Sequence, residues 1–578
     1  MTADSCQFWD RYLPPHSLYP PLAVCTTAGR AVGRGCKTAR YWQKNFVQEM
    51  APTSSAKSED VRTTNIAAAE EVLSAIRTSL GPRGMDKMVI TGKGDVLISN
   101  DGATIMKELE ARHPAARLLI ELSKAQDVEA GDGTTSVVVM CCSLLHECPN
   151  LLKMGLHPSV ISRGYGKAAA KAEEILDSMS IDLDLDPSNV RKTLITAAKT
   201  SLSSKVVSQY SKWLAPIAVD AVSAICDPLN DDNVNLDDIR VVKLAGDTID
   251  RTELIKGLCF PRKVSHVANG PTSISNAKIA FIQFCLSAPK TTMDSSVVVS
   301  DYQQMDRLIR EERRYILTMC KKIKASGCNV VLIQKSILRD AVSEIALAFL
   351  AKMGIMVVRN IEREDASFVC RTVGCKPIAS IEHFTADKLG HAFIAEEIEL
   401  SGKRMVRVIR DDPALPQPEH SAKTITVLVR GVNKLILDEA DRSLHDALCV
   451  IRSLVKKKKQ LPGGGAAEIE LAMRLDEYAQ TLSGLESYVV KAYANAFELI
   501  PYTLAENAGL NPIATVTKLR SEHNKGVTMA GIHVKKGDIL DMRAKKVIQP
   551  TLVTSSAVKL ATETAQMILK ISDIVAAR

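Results

Sequence analysis

The sequence has fourteen cysteines but no CxxC pair and no Cys/His cluster at zinc spacing. That pattern argues against a structural metal site or a disulfide framework, and for reduced thiols filling the core of a cytosolic protein. No apolar stretch is read as reaching the ~20 residues of a membrane span. A soluble protein with no membrane partner is therefore expected. Neither sign of charge dominates: 74 basic and 66 acidic side chains leave +8. This falls short of the balance of a strongly basic nucleic-acid domain, so no specific nucleic-acid partner is expected. There is no GxxxxGK[ST] loop and no kinase glycine-rich loop followed by an HRD segment, which counts against two common phosphoryl-transfer scaffolds. No repeat of fixed period is apparent. Aromatics are only 4% of the chain, and seven of the 24 fall within the first 49 residues. Those residues also hold Pro14-Pro15 and Pro20-Pro21 without periodicity, and they read as an appended segment or a mis-called start before Met50.

What remains is a long chain able to bury large cores. Its 578 residues suffice for roughly three or four domains, with 46% apolar and 24% charged residues. From Asn65 the pattern is helical, with Ile66, Ala69, Val72, Leu73 and Ile76 on one stripe, ending at Gly81-Pro82. A short strand and an Asn100-Asp101-Gly102 turn follow, then a helix opened by Pro114 and an apolar helix after residue 134. Between about 255 and 400 strands and helices alternate, with helices predicted from Asp301 to Ala325 and over 339–353 and 362–374, and strands at NVVLIQ and GIMVVRN. An α/β unit inserted between helical flanks is the simplest reading. Ahead of its long helix, the polar SAPKTTMDSSVVVSDYQQ reads as an exposed protrusion. After 400 a strand, KTITVLVRG, leads into a helix from about Leu435 that ends at the Lys456–Lys459 run, itself read as a solvated helix end.

One octapeptide carries the chemistry: EAGDGTTS, residues 129–136. Two glycines let the backbone approach a ligand, and small hydroxyl residues then open a helix whose first N–H groups lack intrahelical acceptors. Gly131, Gly133, Thr134, Thr135 and Ser136 can thus donate to a polyphosphate. Asp132 would repel that anion unless a divalent cation came with it, so the aspartate implies Mg²⁺. The alternative is a plain Gly-rich turn with Asp132 or Thr134 as N-cap.

Five segments decide between them: TSLGPRGMDKM (78–88), SNDGATI (99–105), AQDVEAGDGTTSVVV (125–139), RSLHDALCVIR (442–452) and GGGAAEIELA (463–472). In this order and spacing they resemble the chaperonins of eukaryotic cytosol and archaea, over essentially Met50 to Arg578. Residues 1–49 have no counterpart in that resemblance. SLSSKVVSQYS (201–211), IQFCLSAPKT (282–291), SDYQQMDRLIREER (300–313) and LIQKSILRDA (332–341) further resemble one subunit type of that family.

The resemblance implies a multidomain α+β fold. A mainly helical equatorial domain would comprise 50–183 and 450–578, a small α/β intermediate domain 184–254 and 401–449, and an α/β apical domain 255–400 with a lid protrusion near 288–306. It implies an ATP-dependent chaperone of the cytoplasm, with ATP and Mg²⁺ as cofactors. Its partners would be paralogous subunits in an eight-membered hetero-oligomeric ring, two rings stacked, and non-native client polypeptides.

It also implies residue roles. Asp132 would hold Mg²⁺, while Asp101 and Asp446 would position and polarise the attacking water. Gly81 and Pro82 would lie against the phosphates, Ser204 and Lys205 in a loop sensing the terminal phosphate, Gly464 and Gly465 beside base and ribose, and Gly531 at the closing wall. Ser367, Phe368, Arg371 and Thr372 are the candidate client contacts, with Phe368 equally readable as core. Read without the family, Asp101 is a turn residue, Asp446 an exposed helical acid and Lys205 a surface lysine. Pro462, Ser556 and the Ala245-Gly246 pair depart from the family's pattern without removing a catalytic group. A ring subunit that binds ATP but hydrolyses it slowly, or a soluble ATP-dependent transferase, are the competing readings.

Overall fold

Prolines and short polar residues punctuate the chain where its helices begin. Pro114 and Pro158 sit at the first helical position, and the preceding His113 and His157 each accept a backbone N–H through Nδ1. The computed structural model describes residues 58–575 except 93, 184–185, 266–269, 289–297, 338–339 and 411–423. The N-terminal segment 1–49 and residues 289–297 of the expected protrusion lie outside the described residues.

The largest core joins both ends of the chain. Helices Ser58–Ile76, Pro114–Glu129 and Pro158–Met179 come from one end, and Ala466–Thr481, Leu485–Ala496 and Thr551–Lys570 from the other. They surround helix Thr134–Lys153, in which Val137 to Leu145 are buried without a break. By length and composition this helix could cross a membrane, which the sequence reading did not find. Its burial here is that of a central core helix.

A second core packs helices Pro187–Leu202, Ser211–Ile225 and Lys434–Lys456 on a three-stranded sheet, Ile239–Ala245 beside Ile425–Gly431 beside Glu253–Ile255. A third region is a six-stranded mixed sheet in the order Gly257–Phe260, Lys403–Ile409, Gly390–Leu400, Ser273–Ile282, Val330–Gln334, Met356–Ile361. Its strands alternate: Ile279, Phe281 and Leu332 face one core with helix Ala366–Val373, while Ala280, Ile282 and Val331 face another with helices Tyr302–Ala325 and Glu344–Lys352. Two-sided burial explains why these strands read as continuous apolar runs.

Several expected boundaries move. Strand Lys403–Ile409 pairs antiparallel with Gly390–Leu400 across the Ser401-Gly402 turn, so a break at 400/401 would cut a hairpin. Helix Lys434–Lys456 runs unbroken through the expected boundary at 449/450. The helix expected over 339–353 starts only at Glu344, because Val342 bridges Leu286 in extended form and Ser343 Oγ caps the helix by accepting from Ala346 N at 3.2 Å. The next helix starts at Ala366 rather than at 362.

Candidate functional site

Helix Thr134–Lys153 begins at Gly133, whose φ of 76° is left-handed, so the chain can turn sharply into the helix. Neither Asp132 nor Thr134 is its N-cap. Instead Asp132 Oδ1 accepts from Gly133 N at 2.8 Å, and its carbonyl accepts from Gln126 Nε2 at 3.0 Å. Ser556 Oγ in turn donates to Gln126 Oε1 at 3.1 Å. A hydrogen-bonded brace from the C-terminal helix therefore holds the Asp132 turn, and Ser556 is part of it.

The turn opens onto a cavity of about 440 Å³, within the usual range for a small-molecule site. The cavity draws together segments far apart in sequence. Gly81 and Pro82, Asp132 to Ser136, Ser204 and Lys205, and Gly464 and Gly465 all line it. Gly464 and Gly465 have φ of 71° and 79°, a flat left-handed pair that side chains would strain and fill. Gly531 stands behind that pair and does not itself line the cavity, whose wall there is Ile532. A Cβ at 531 would meet Gly463 O at 2.8 Å, and Ile532 N donates to Gly464 O at 2.9 Å.

Lys205 closes the floor. It is 9% exposed, and its Nζ lies 2.6 Å from Asp446 Oδ2 and 3.7 Å from Asp101 Oδ1. Asp446, in the middle of helix Lys434–Lys456, is buried rather than an exposed acid. Asp101 is both a turn residue and a site residue: its Oδ2 caps the following helix by accepting from Thr104 N at 3.0 Å, while its Oδ1 accepts from Thr134 Oγ1 at 3.0 Å.

These carboxylates differ electrically. Burial pushes the Asp446 carboxyl well above the usual range, and the neighbouring Asp101 and Asp132 add to this against the pull of Lys205. For Asp101 burial acts upward too, but Lys205 and the bonds from Thr104 and Thr134 outweigh it and hold the carboxyl below its ordinary value. Burial opposes charge on Lys205, yet Asp446, Asp101 and Asp132 overcome it and keep the ammonium protonated. Three carboxyl groups, those of Asp446, Asp101 and Asp132, thus surround the Lys205 ammonium, while Lys199, Lys535, Lys545 and Lys546 line the rest of the cavity. Among the described residues no group of three or more His, Cys, Asp or Glu is placed to cage a metal. A cation shared between Asp132 and phosphate oxygens fits this donor set, as Mg²⁺ commonly binds.

The sequence reading missed some wall residues. Asn100, Glu468 and Ile532 also line the cavity, although Asn100 and Glu468 lay inside segments already singled out. Glu468 is buried, and burial pushes its carboxyl up.

The client-contact candidates divide. Phe368 and Thr372 are packed into the core beneath helix Ala366–Val373, with Phe368 under the Arg240 guanidinium and Thr372 hydrogen-bonded to Thr424. Phe368 thus stands as its alternative reading had it, and Thr372 is buried beside it, each leaving little surface for a client. Ser367 and Arg371 are exposed, and Arg371 is paired with Asp238. The Lys456–Lys459 run is no free cationic patch, since Lys456 pairs with Glu129, Lys457 with Asp177, and Lys458 donates to Leu229 O.

The model of the TCP-1/cpn60 chaperonin family matches residues 72–578. T-complex protein 1 subunit delta of Homo sapiens is 55% identical over 552 residues, covering 96% of this chain and 98% of that protein. The proteins of that name from Dictyostelium discoideum and Arabidopsis thaliana are 56% and 55% identical over 522 and 524 residues, each covering 90% of this chain and 96% of the relative. At 96% coverage the human match enters the first 49 residues, where no counterpart was expected.

Proposed function

Because this chain belongs to the TCP-1/cpn60 chaperonin family, we propose that it is an ATP-hydrolysing subunit of the cytosolic double-ring chaperonin CCT (TRiC). In this reading it works beside paralogous subunits, eight to a ring, to enclose and fold non-native polypeptides. The observation that carries the catalytic part is Lys205, clasped by Asp446 and Asp101 from two distant segments at the floor of the cavity that Asp132 and the glycine pair line. The names of the relatives and the order of the five segments support the ring assembly.

The phosphates of ATP take the N–H groups of Thr134, Thr135 and Ser136 and the hydroxyls of Thr135 and Ser136 at the positive end of the central helix, the Thr134 hydroxyl being held by Asp101. Base and ribose lie along Gly464 and Gly465. Mg²⁺, held by Asp132, would neutralise phosphate charge. Lys205 reaches for the terminal phosphate, and its departure from Asp446 leaves that carboxylate to accept a proton from the attacking water. Burial has already raised the basicity of Asp446, which suits that role. Asp101, held ionised, orients the water with it. Asp446 sits on a helix whose apolar face belongs to the core of the small three-stranded sheet, while its Ser453 Oγ donates to Ala130 O at 3.3 Å beside the Asp132 turn, so movement of that body carries the base toward or away from the nucleotide.

Asp446→Ala tests the assignment. In assembled rings the variant keeps nucleotide bound at this position and loses hydrolysis there by about 10²–10⁴-fold, the usual worth of a positioned base. Structure determination after one turnover would then find triphosphate in this subunit and diphosphate in its neighbours. Equal loss of binding and hydrolysis contradicts the role. Hydrolysis barely slowed by the substitution would favour a subunit that binds ATP without using this base.

A further inference from the structure

Two thiols stand together at the end of helix Ala366–Val373, apart from the nucleotide cavity. The helix stops at Gly374, whose φ is 73° and whose N–H donates to Cys370 O at 2.9 Å. That left-handed turn folds the next residue back along the helix, so Cys375 Sγ points at Cys370 Sγ from 3.9 Å. The two cysteines differ in access. Cys370 is half-buried, whereas Cys375 is buried against Gly390, where a Cβ would lie 3.0 Å from that of Cys375.

We propose that Cys370 and Cys375 form a thiol pair that a small-molecule disulfide of the glutathione type oxidises to an intrachain disulfide. Closing 3.9 Å to a sulfur–sulfur bond needs side-chain rotation about a turn already in place. Cys370 is the entry point, because it is the accessible member and because the hydrogen bond from the Cys375 thiol holds it below the ordinary thiol value. Burial and that same contact push Cys375 upward, which suits the second thiol to react.

The exchange balances. The Cys370 thiolate attacks one sulfur of the small disulfide, forming a mixed disulfide and expelling a small thiolate, which takes up a proton. Cys375 gives up its proton and its sulfur attacks Cys370 Sγ, expelling the second small thiol. The protein loses two electrons and two protons, and the small disulfide becomes two thiols. The new bond would span Arg371 and Thr372, the residues that tie this helix to Asp238 and Thr424. Oxidation therefore acts on the turn that holds the helix to its neighbours.

The test uses the full chain in its native assembly, equilibrated at graded ratios of reduced to oxidised glutathione, quenched in acid, alkylated and cut with trypsin. Cleavage after Arg371 separates the two cysteines into peptides 364–371 and 372–388, because Pro377 blocks cutting after Lys376. The proposal expects these peptides to appear joined, two hydrogens lighter than their sum, as the major form under oxidising ratios and to separate again under reducing ones. In Cys375→Ser, Cys370 should instead retain bound glutathione. Separate alkylated peptides at every ratio, or glutathione trapped on Cys370 in the unaltered chain, would overturn it. The readout needs no nucleotide, so its failure is distinct from failure of the ATPase reading.

Discussion

The glycine-lined cavity and the helix Ala366–Val373 were both approached through candidate residues, and they fared differently. At the cavity, Gly81, Asp132, Thr134, Lys205 and Gly464 line one space although they come from separate segments. On the helix, half of the candidates turned inward. The cavity is built from backbone: turns with positive φ and an open helix start, which only certain residues permit. The helix presents a face set by side-chain register, where residues four apart such as Ser367 and Arg371 share a side, and little in an eight-residue stretch fixes which side is out.

Substitutions can break or sharpen that contrast. Lys205→Met should have the largest effect, since it strands the buried Asp446 and Asp101 without their counter-charge. A loss of about 3–5 kcal/mol is expected on the scale of broken buried pairs, seen as a sharply lowered melting temperature and poor recovery of soluble chain. An unchanged melt would mean the floor of the cavity is not held by this lysine. Phe368→Ala should cost about 3 kcal/mol as an emptied core position, whereas Ser367→Ala, one residue away, should stay within about 0.5 kcal/mol. Equal effects in thermal melts would erase the inward and outward assignment of the helix.

The smallest effect concerns Glu470. Burial alone would raise its carboxyl, but bonds from His523 and Arg474 bring it below the ordinary value of 4.5. A depressed folded value contributes stability that is complete above the ordinary value and is lost as pH falls through the folded one. Glu470→Gln should therefore lower the melting temperature near neutrality by an amount that shrinks as the solution is made acid. A constant difference across pH would rule out this charge as the cause.

Much of the architecture was readable because apolar periodicity and proline punctuation report elements directly. The helix opening at Pro114 and the apolar one after residue 134 stand where those signals put them. Continuity was harder to read. A domain break was expected at 400/401, yet Ser401 and Gly402 make a tight hairpin turn in a larger sheet. Helix Lys434–Lys456 shows no mark at the expected boundary 449/450, because its apolar face from Leu437 to Val455 stays in one core across it. The burial of Asp446 was invisible locally for a related reason. An acid on a helix reads as exposed until the distant Lys205 that accompanies it is in view.

The central claim is that this chain works as one member of a hetero-oligomeric ring. Its most direct test is the native mass and composition of the tagged chain recovered from its own cytosol with ATP present. The account predicts a particle of about 1,000 kDa, two eight-membered rings of chains near 62.8 kDa, with paralogous subunits in it. A stable species of a single chain, or a lone homodimer, would contradict it.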